Sequence, residues 1–269
     1  MKNVIICSLN DPAGSNIRER LLENFPFTML DDWFDGSPVY VLDDAFLVTS
    51  KKDIVFVDGL DQKFADCSYF FVSRHRAESG IPSLTAHFTG NFGPANFGGN
   101  PREIAMYSPA KLKNYMRELH SIRSTISDIY KITIEATHHG PTDLHSPVLF
   151  VELGSSEEQW VDIKVAERVA IALMASMKSD ATYSKCALGV GGTHYPDKFN
   201  KYLLESEIAL GPVVSKYALE NLDEDLLNQI LIKSDTKVEW AIVDRKGLGQ
   251  HKERVLQLLK SNGLEIISV

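Results

Sequence analysis

The sequence predicts a layered α/β protein made as one domain, residues 1–269. Two observations carry that prediction. Short apolar, β-branched runs alternate along the chain with stretches whose hydrophobic residues recur at helical spacing. No repeat, low-complexity tract or linker-like stretch breaks the alternation, and with 44% hydrophobic residues the chain can bury a sizeable core.

Taken in order, Asn3 to Ser8 is a short apolar strand, and Asp11-Pro12 turns the chain into a helix with Ile17, Leu21, Leu22 and Phe25 on one face. Residues 39–42, 45–49 and 53–58 read as strands joined by tight turns, with another at 68–73. Ser108-Pro109 is an N-cap and first-turn pair. It opens a helix whose Leu112, Tyr115, Met116, Leu119, Ile122 and Ile126 share a face. Residues 131–136 alternate and are β-branched, so they form a strand that Gly140-Pro141 stops. After a strand at 148–153, Ser155 and Glu158 have capping-box spacing. The next helix turns Ile163, Ala166, Ala170, Leu173 and Met177 inward. Residues 186–190 are a strand broken by Gly191-Gly192, helices follow at 198–205 and 222–232, then a strand at 238–243, a helix at 250–260 and a last strand at 265–269.

The chemistry gathers where strands end. His138 and His139 close one strand, His75 follows another, His87 opens a glycine-rich loop and His194 comes just after a fourth strand. In open α/β sheets, ligands bind outside the carboxyl ends of strands. Zinc needs three or four imidazole, thiolate or carboxylate ligands around one point, and Glu135 and Glu152 lie near in sequence. No HExxH motif is present, so spacing alone does not fix a metal site. A single histidine is more often a hydrogen-bonded structural residue; His120 and His251, on helical stretches, are read that way.

The segment from His87 to Pro101 is neither a Walker loop nor a dinucleotide fingerprint. Its glycines permit close backbone approach, and its phenylalanines either stack on a base or ring or pack on one another in an Ω-loop. Gly191 and Gly192 either aim backbone N–H groups at an oxyanion or make a plain turn. Cys7, Cys67 and Cys186, odd in number and without CxxC spacing, read as buried small hydrophobes in a reducing cytosol. No apolar run approaches the roughly 18 residues of a membrane span. A net charge of −8 opposes non-specific nucleic-acid binding while leaving room for a local basic patch. A soluble cytoplasmic protein, monomeric or a small homo-oligomer, is expected.

Five segments carry a resemblance. They are Ser73-Arg-His75, Leu84-Thr-Ala-His-Phe-Thr-Gly-Asn-Phe-Gly93, Glu135-Ala-Thr-His-His-Gly-Pro-Thr142, Val151-Glu-Leu-Gly-Ser-Ser-Glu-Glu-Gln-Trp160 and Ala187-Leu-Gly-Val-Gly-Gly-Thr-His-Tyr195. Together with Phe34-Asp-Gly-Ser-Pro-Val-Tyr40 and Leu210-Gly-Pro212, they make the whole chain resemble the archaeal and plant D-aminoacyl-tRNA deacylases. The resemblance implies a three-layer α/β/α fold with a mixed sheet, of the phosphorylase/hydrolase-like kind. It also implies hydrolysis of the ester joining a D-amino acid to the 3′ end of tRNA, with zinc as cofactor.

On that footing His87, His138, His139 and His194 are the zinc candidates, and Glu152 or Glu135 the proton acceptor, with His138 and His139 counted in the catalytic set. Gly191 and Gly192 are assigned to the oxyanion. His75, Asn91 and Phe92 are assigned to the substrate, and Arg74, Arg76, Arg102, Lys111, Lys113 and Lys198 to the tRNA phosphates. Two rivals stand beside this reading: a zinc amidohydrolase or peptidase acting on a small substrate, and a tRNA-binding protein without catalysis.

Overall fold

A computed structural model describes residues 2–179 and 181–269. The first half runs β1 (Lys2–Ser8), α1 (Pro12–Asn24), β2 (Thr28–Phe34), β3 (Ser37–Leu42), β4 (Ala45–Ser50), α2 (Leu60–Lys63), β5 (Cys67–Arg76), β6 (Ser83–His87), β7 (Gly90–Asn91), β8 (Glu103–Ile104), α3 (Pro109–Ser121) and β9 (Lys131–Ile134). The second half runs β10 (Val148–Ser155), α4 (Glu157–Trp160), α5 (Ile163–Met177), β11 (Lys185–Val190), α6 (Asp197–Glu205), β12 (Ile208–Val214), α7 (Glu224–Ile232), β13 (Trp240–Val243), α8 (Lys252–Ser261) and β14 (Glu265–Ser268).

Eight strands make a mixed sheet in the order β2-β3-β4-β1-β5-β10-β6-β9. Its centre, β4-β1-β5-β10, is parallel, so the strands feed their carboxyl ends to one edge. The four C-terminal strands form a separate parallel sheet, β12-β11-β13-β14. An α/β protein with a large mixed sheet is what the sequence predicts; the second sheet is additional. One hydrophobic cluster joins the two, holding Val72 and Leu84 of the large sheet together with Leu188 and Ala241 of the small one. Helices α1, α3 and α5 supply it with Leu21, Tyr115, Met116, Val169 and Leu173. A smaller cluster covers the other face of the large sheet, with Val4, Ile6, Tyr69, Phe71, Val148 and Phe150 packed under Ile54, Leu60 and Phe64.

Local chemistry sets the helix starts. Asp11 accepts a hydrogen bond from the Gly14 amide at 2.8 Å with Pro12 in the first turn, Asp162 caps α5 through Val165, and Asp223 caps α7 through Leu226. Four sequence expectations are corrected. Residues 53–58 are not a strand but a 3-10 turn at Ile54–Phe56. The strand β2 is missed by pattern because this edge strand leaves Met29 and Trp33 exposed, blurring the alternation. The capping box lies one residue later, between Ser156 and Gln159. Ile163 is exposed at the first turn of α5, whereas Ala166, Ala170 and Leu173 are buried. Cys7, Cys67 and Cys186 are all buried free thiols, and burial pushes Cys7 up to about 11. Among the described residues no helix is long and apolar enough to cross a membrane.

Strand β10 must run very close to β5 beside the future site. Gly154 pairs with His75, and a Cβ there would fall 2.0 Å from the His75 carbonyl oxygen. Gly154→Ala is therefore expected to destabilise the protein by about 1–3 kcal/mol, the scale of overpacking. Urea unfolding measures it, and unchanged stability would show that the two strands can part without cost.

Candidate active site

The period-2 pattern of the central strands changes character halfway along one sheet face. Tyr69, Phe71, Ser73 and His75 point to that face from β5, and Val148, Phe150 and Glu152 from β10. Phe71 pairs with Phe150 and Ser73 with Glu152; the two phenyl rings stack at 4.9 Å. One half of the face is thus apolar and covered, and the other half is polar and opens into a cavity of about 450 Å³. His75, Glu135, His138, His139, Phe150, Glu152 and His194 line it. The polar groups of the cavity therefore rise from the sheet face as well as from strand ends.

Glu152 is held from four sides. Ser73 donates to Oε1 at 3.0 Å, Thr85 to Oε2 at 3.4 Å, His75 Nδ1 approaches Oε2 at 3.3 Å, and His87 Nε2 lies 3.5 Å from Oε1. Glu135 sits at the end of β9, its amide continuing the ladder to Ala86. It faces His75 Nδ1 at 3.0 Å and His194 Nε2 at 2.8 Å. His75 bridges both carboxylates, and its Nε2 meets the Tyr195 hydroxyl at 3.0 Å.

Three histidines converge beside this pair. In each, Nδ1 faces a backbone carbonyl: His87 that of Phe88 at 3.1 Å, His138 that of Ala136 at 2.8 Å, His139 that of Gly140 at 2.7 Å. With the proton on Nδ1, Nε2 of His138 and of His139 carries the lone pair, whereas burial opposes the cation of His87 but Glu152 overrides it and raises His87. The rings of His87 and His138 lie 4.2 Å apart between centroids, and those of His138 and His139 4.4 Å. His87, His138 and His139 offer ligand atoms within 4.8 Å of one another, and so do Glu135, His138 and His194. His87 Nε2 and Glu135 Oε1 are both buried, the first 3.5 Å from Glu152 Oε1 and the second 3.0 Å from His75 Nδ1. His139 adopts φ 44°, a left-handed conformation that costs a non-glycine residue of order 1–3 kcal/mol and that clusters at functional sites.

Electrostatics divides the cluster. Burial, and then the neighbouring charge of His87, pushes His138 well below its ordinary value and His139 down to about 4, so both are neutral at pH 7. Burial also opposes the cation of His75, but Glu135 and Glu152 overcome it and raise His75 to about 10. Burial opposes ionisation of Glu135, and hydrogen bonds from His194 and His75 override it to hold Glu135 well below the carboxylate range. The same balance, with His75 and His87 as donors, keeps Glu152 ionised.

Not every residue singled out in the sequence reaches this cavity. Asn91 ties the glycine-rich loop together through the carbonyls of Gly98 and Asn100, and Phe92 is buried in the main core; neither lines the cavity. The Gly191 amide already donates to Val214 at 2.9 Å, the Gly192 carbonyl accepts from the Lys216 amide, and neither glycine lines the cavity. Lys111 reaches Asn3 at the opposite end of β1 from the cavity. Lys113 is buried, its amine bonded to the carbonyls of Ser206 and Ile208 at 2.5 and 2.9 Å, and burial lowers it to about 8. Arg102 pairs with Asp223, and Lys198 with Asp244. Of the basic set, Arg74 and Arg76 line the cavity. Phe97, one of the phenylalanines of the glycine-rich segment, does line it, and sequence reasoning missed Asp11, Phe56 and Tyr195. Tyr195 follows His194 directly, which is the one signal that pointed to it.

Convergent imidazoles beside two ionised carboxylates can move protons and could hold a metal ion, the chemistry a hydrolase needs. The comparisons narrow that class. The sequence model of the D-aminoacyl-tRNA deacylase family matches residues 64–267. The D-aminoacyl-tRNA deacylase of Cenarchaeum symbiosum is 39% identical over 99% of both chains, and that of Pyrococcus furiosus 36% identical over 98% of both. The crystal structure of a conserved protein of unknown function superposes with a TM-score of 0.91 at 31% identity, covering 99% of this chain and 95% of the other. The chain belongs to the D-aminoacyl-tRNA deacylase family.

The charge on His75 can be read directly. A histidine raised from 6.5 to about 10 contributes stability that is complete below pH 6.5 and is lost as pH rises through 10. Ring NMR of His75 is expected to titrate near 10, and Glu152→Gln to lower that midpoint. A midpoint at or below 6.5 in the unsubstituted protein contradicts the bridging role.

Proposed function

We propose that this chain hydrolyses the ester of D-aminoacyl-tRNA, releasing the free D-amino acid and tRNA, and that it uses zinc to do so in the cytoplasm. The observation that carries the reading is the cluster of His87, His138 and His139, whose ligand atoms lie within 4.8 Å of one another while each Nδ1 faces a backbone carbonyl. Family membership supports the substrate. The donor set suits zinc, since imidazole nitrogen is among its preferred ligands and His138 and His139 are held neutral. His87, His138 and His139 would hold the ion, which when bound supplies a Lewis acid and a water acidified toward neutrality.

The chain's own groups do the rest. Glu135, buried and hydrogen-bonded to His194, takes the proton from a water whose oxygen bonds to the ester carbonyl carbon. His194, half exposed, hands a proton to the ribose 3′ oxygen as the carbon–oxygen ester bond breaks. Glu152, saturated with donors, holds His87 and His75 in place and is not free to act as the base. Arg74 and Arg76 line both this cavity and a neighbouring one of about 780 Å³, so they mark the exit for the tRNA phosphates. A small substrate would need no such exit. With a net charge of −8, tRNA must be held locally.

Deacylation of D-tyrosyl-tRNA, with L-tyrosyl-tRNA resisting, is the direct test. His138→Ala and His139→Ala are each expected to slow it at least about a hundredfold in folded protein, and chelation to abolish it until zinc is returned. Equal hydrolysis of both stereoisomers, or full activity in zinc-free protein, would defeat the corresponding part of the reading. Reversing charge at Arg74 and Arg76 together should raise KM for the tRNA substrate and flatten its salt dependence. An unchanged salt slope would place the tRNA elsewhere.

A further inference from the structure

Two phenylalanines stand at the cavity with most of their surface in solvent, an arrangement the hydrophobic effect alone does not favour. Phe97 is 69% exposed and Phe56 54% exposed, and both line the cavity that holds His138 and His139. They come from different segments, the glycine-rich loop and the 3-10 turn at Ile54–Phe56, yet these segments are locked together. Gly98, at φ 77°, approaches so closely that a Cβ would fall 2.3 Å from the Val55 carbonyl oxygen. The Phe97 carbonyl accepts the Gly140 amide at 3.0 Å, and Gly140 follows His139. A Cβ on Gly140 would meet the Gly99 amide nitrogen at 2.3 Å. Both backbones are thereby fixed against the turn that carries the paired histidines, so the rings keep a set distance from the reacting centre.

We propose that Phe56 and Phe97 form a stacking platform for the nucleobase of the substrate's 3′-terminal nucleoside. The inference rests on the deacylase reading and extends it to how the tRNA end is held. The ester carbonyl must reach Glu135 and the imidazoles on the cavity floor, whereas the tRNA body must stay outside. The terminal nucleoside therefore spans floor to mouth, and its base lies where the exposed rings are. The amino acid, having no continuation, occupies the closed end. Every base offers a π-face, and an aromatic partner contributes enough per base for its loss to cost about tenfold or more in affinity.

The test compares D-tyrosyl-adenosine with D-tyrosine methyl ester, which carries the same acyl group without a base. The unsubstituted enzyme should prefer the adenosine ester in kcat/KM, and the Phe56→Ala, Phe97→Ala double variant should shrink that ratio at least about tenfold. Phe97→Trp should keep it, and Phe97→Leu, apolar but without a ring face, should lose it. Binding of the trinucleotide CCA, measured by calorimetry, gives a second reading independent of catalysis, with the same order among variants. A ratio and CCA affinity unchanged in a double variant of normal thermal stability overturn the platform. So does a change in preference among D-amino acid methyl esters without a change in the ratio, since the rings would then hold the side chain. If CCA binds through these rings but no D-aminoacyl ester is cleaved, the platform stands and the deacylase reading falls.

Discussion

Two carboxylates buried on one sheet face repel each other, and the site exists because His75 stands between them. Its Nδ1 lies 3.0 Å from Glu135 and 3.3 Å from Glu152. An uncompensated buried charge costs several kcal/mol, so without that cation one of the glutamates would have to take up a proton or move. Each carboxylate in turn positions an imidazole, Glu135 that of His194 and Glu152 that of His87. The apolar half of the same face is buried, with Phe71 stacked on Phe150, and the polar half opens into the cavity.

The second sheet gains its meaning from this arrangement. Beyond β9 the chain runs between the sheets, with the Ala136 amide bonded to the His194 carbonyl and the Thr137 amide to that of Val213. The loop after β11 can then bring His194 and Tyr195 onto the carboxylates of the large sheet, and Tyr195 occupies the outer nitrogen of His75. The C-terminal strands are thus part of the site without offering it any residue from within a strand.

The sequence disclosed some of this and hid the rest for physical reasons. The paired histidines were legible because a β-branched strand stops at Gly140-Pro141, and backbone breaks after strands are where side chains become available. His87, His194 and Glu135, each at or just past a strand end, follow by the same logic, whereas Glu152 lies within β10 on the sheet face. The tRNA rim was not legible, because a lysine's neighbours are set by tertiary packing: Lys113 proves to be buried against two carbonyls and Lys111 to sit at the far end of β1. The glycines of the loop predict a close approach to ligand, but the loop presents Phe97 and buries Phe92, and one-dimensional spacing cannot tell which ring turns outward. The exposed edge strand β2 and the turn at Ile54–Phe56 escaped because neither buries a regular face.

The central claim is that His87, His138 and His139 form a zinc site through Nε2. His87 tests it best, since it is buried beneath the cavity without lining it, and neither substrate nor solvent would explain an effect there. Zinc content and zinc-edge X-ray absorption of protein purified without chelators should show bound zinc with imidazole-nitrogen ligands and no sulfur. His87→Ala should lose that zinc while remaining folded. Sulfur ligation, or zinc retained at full occupancy in His87→Ala, would contradict the account.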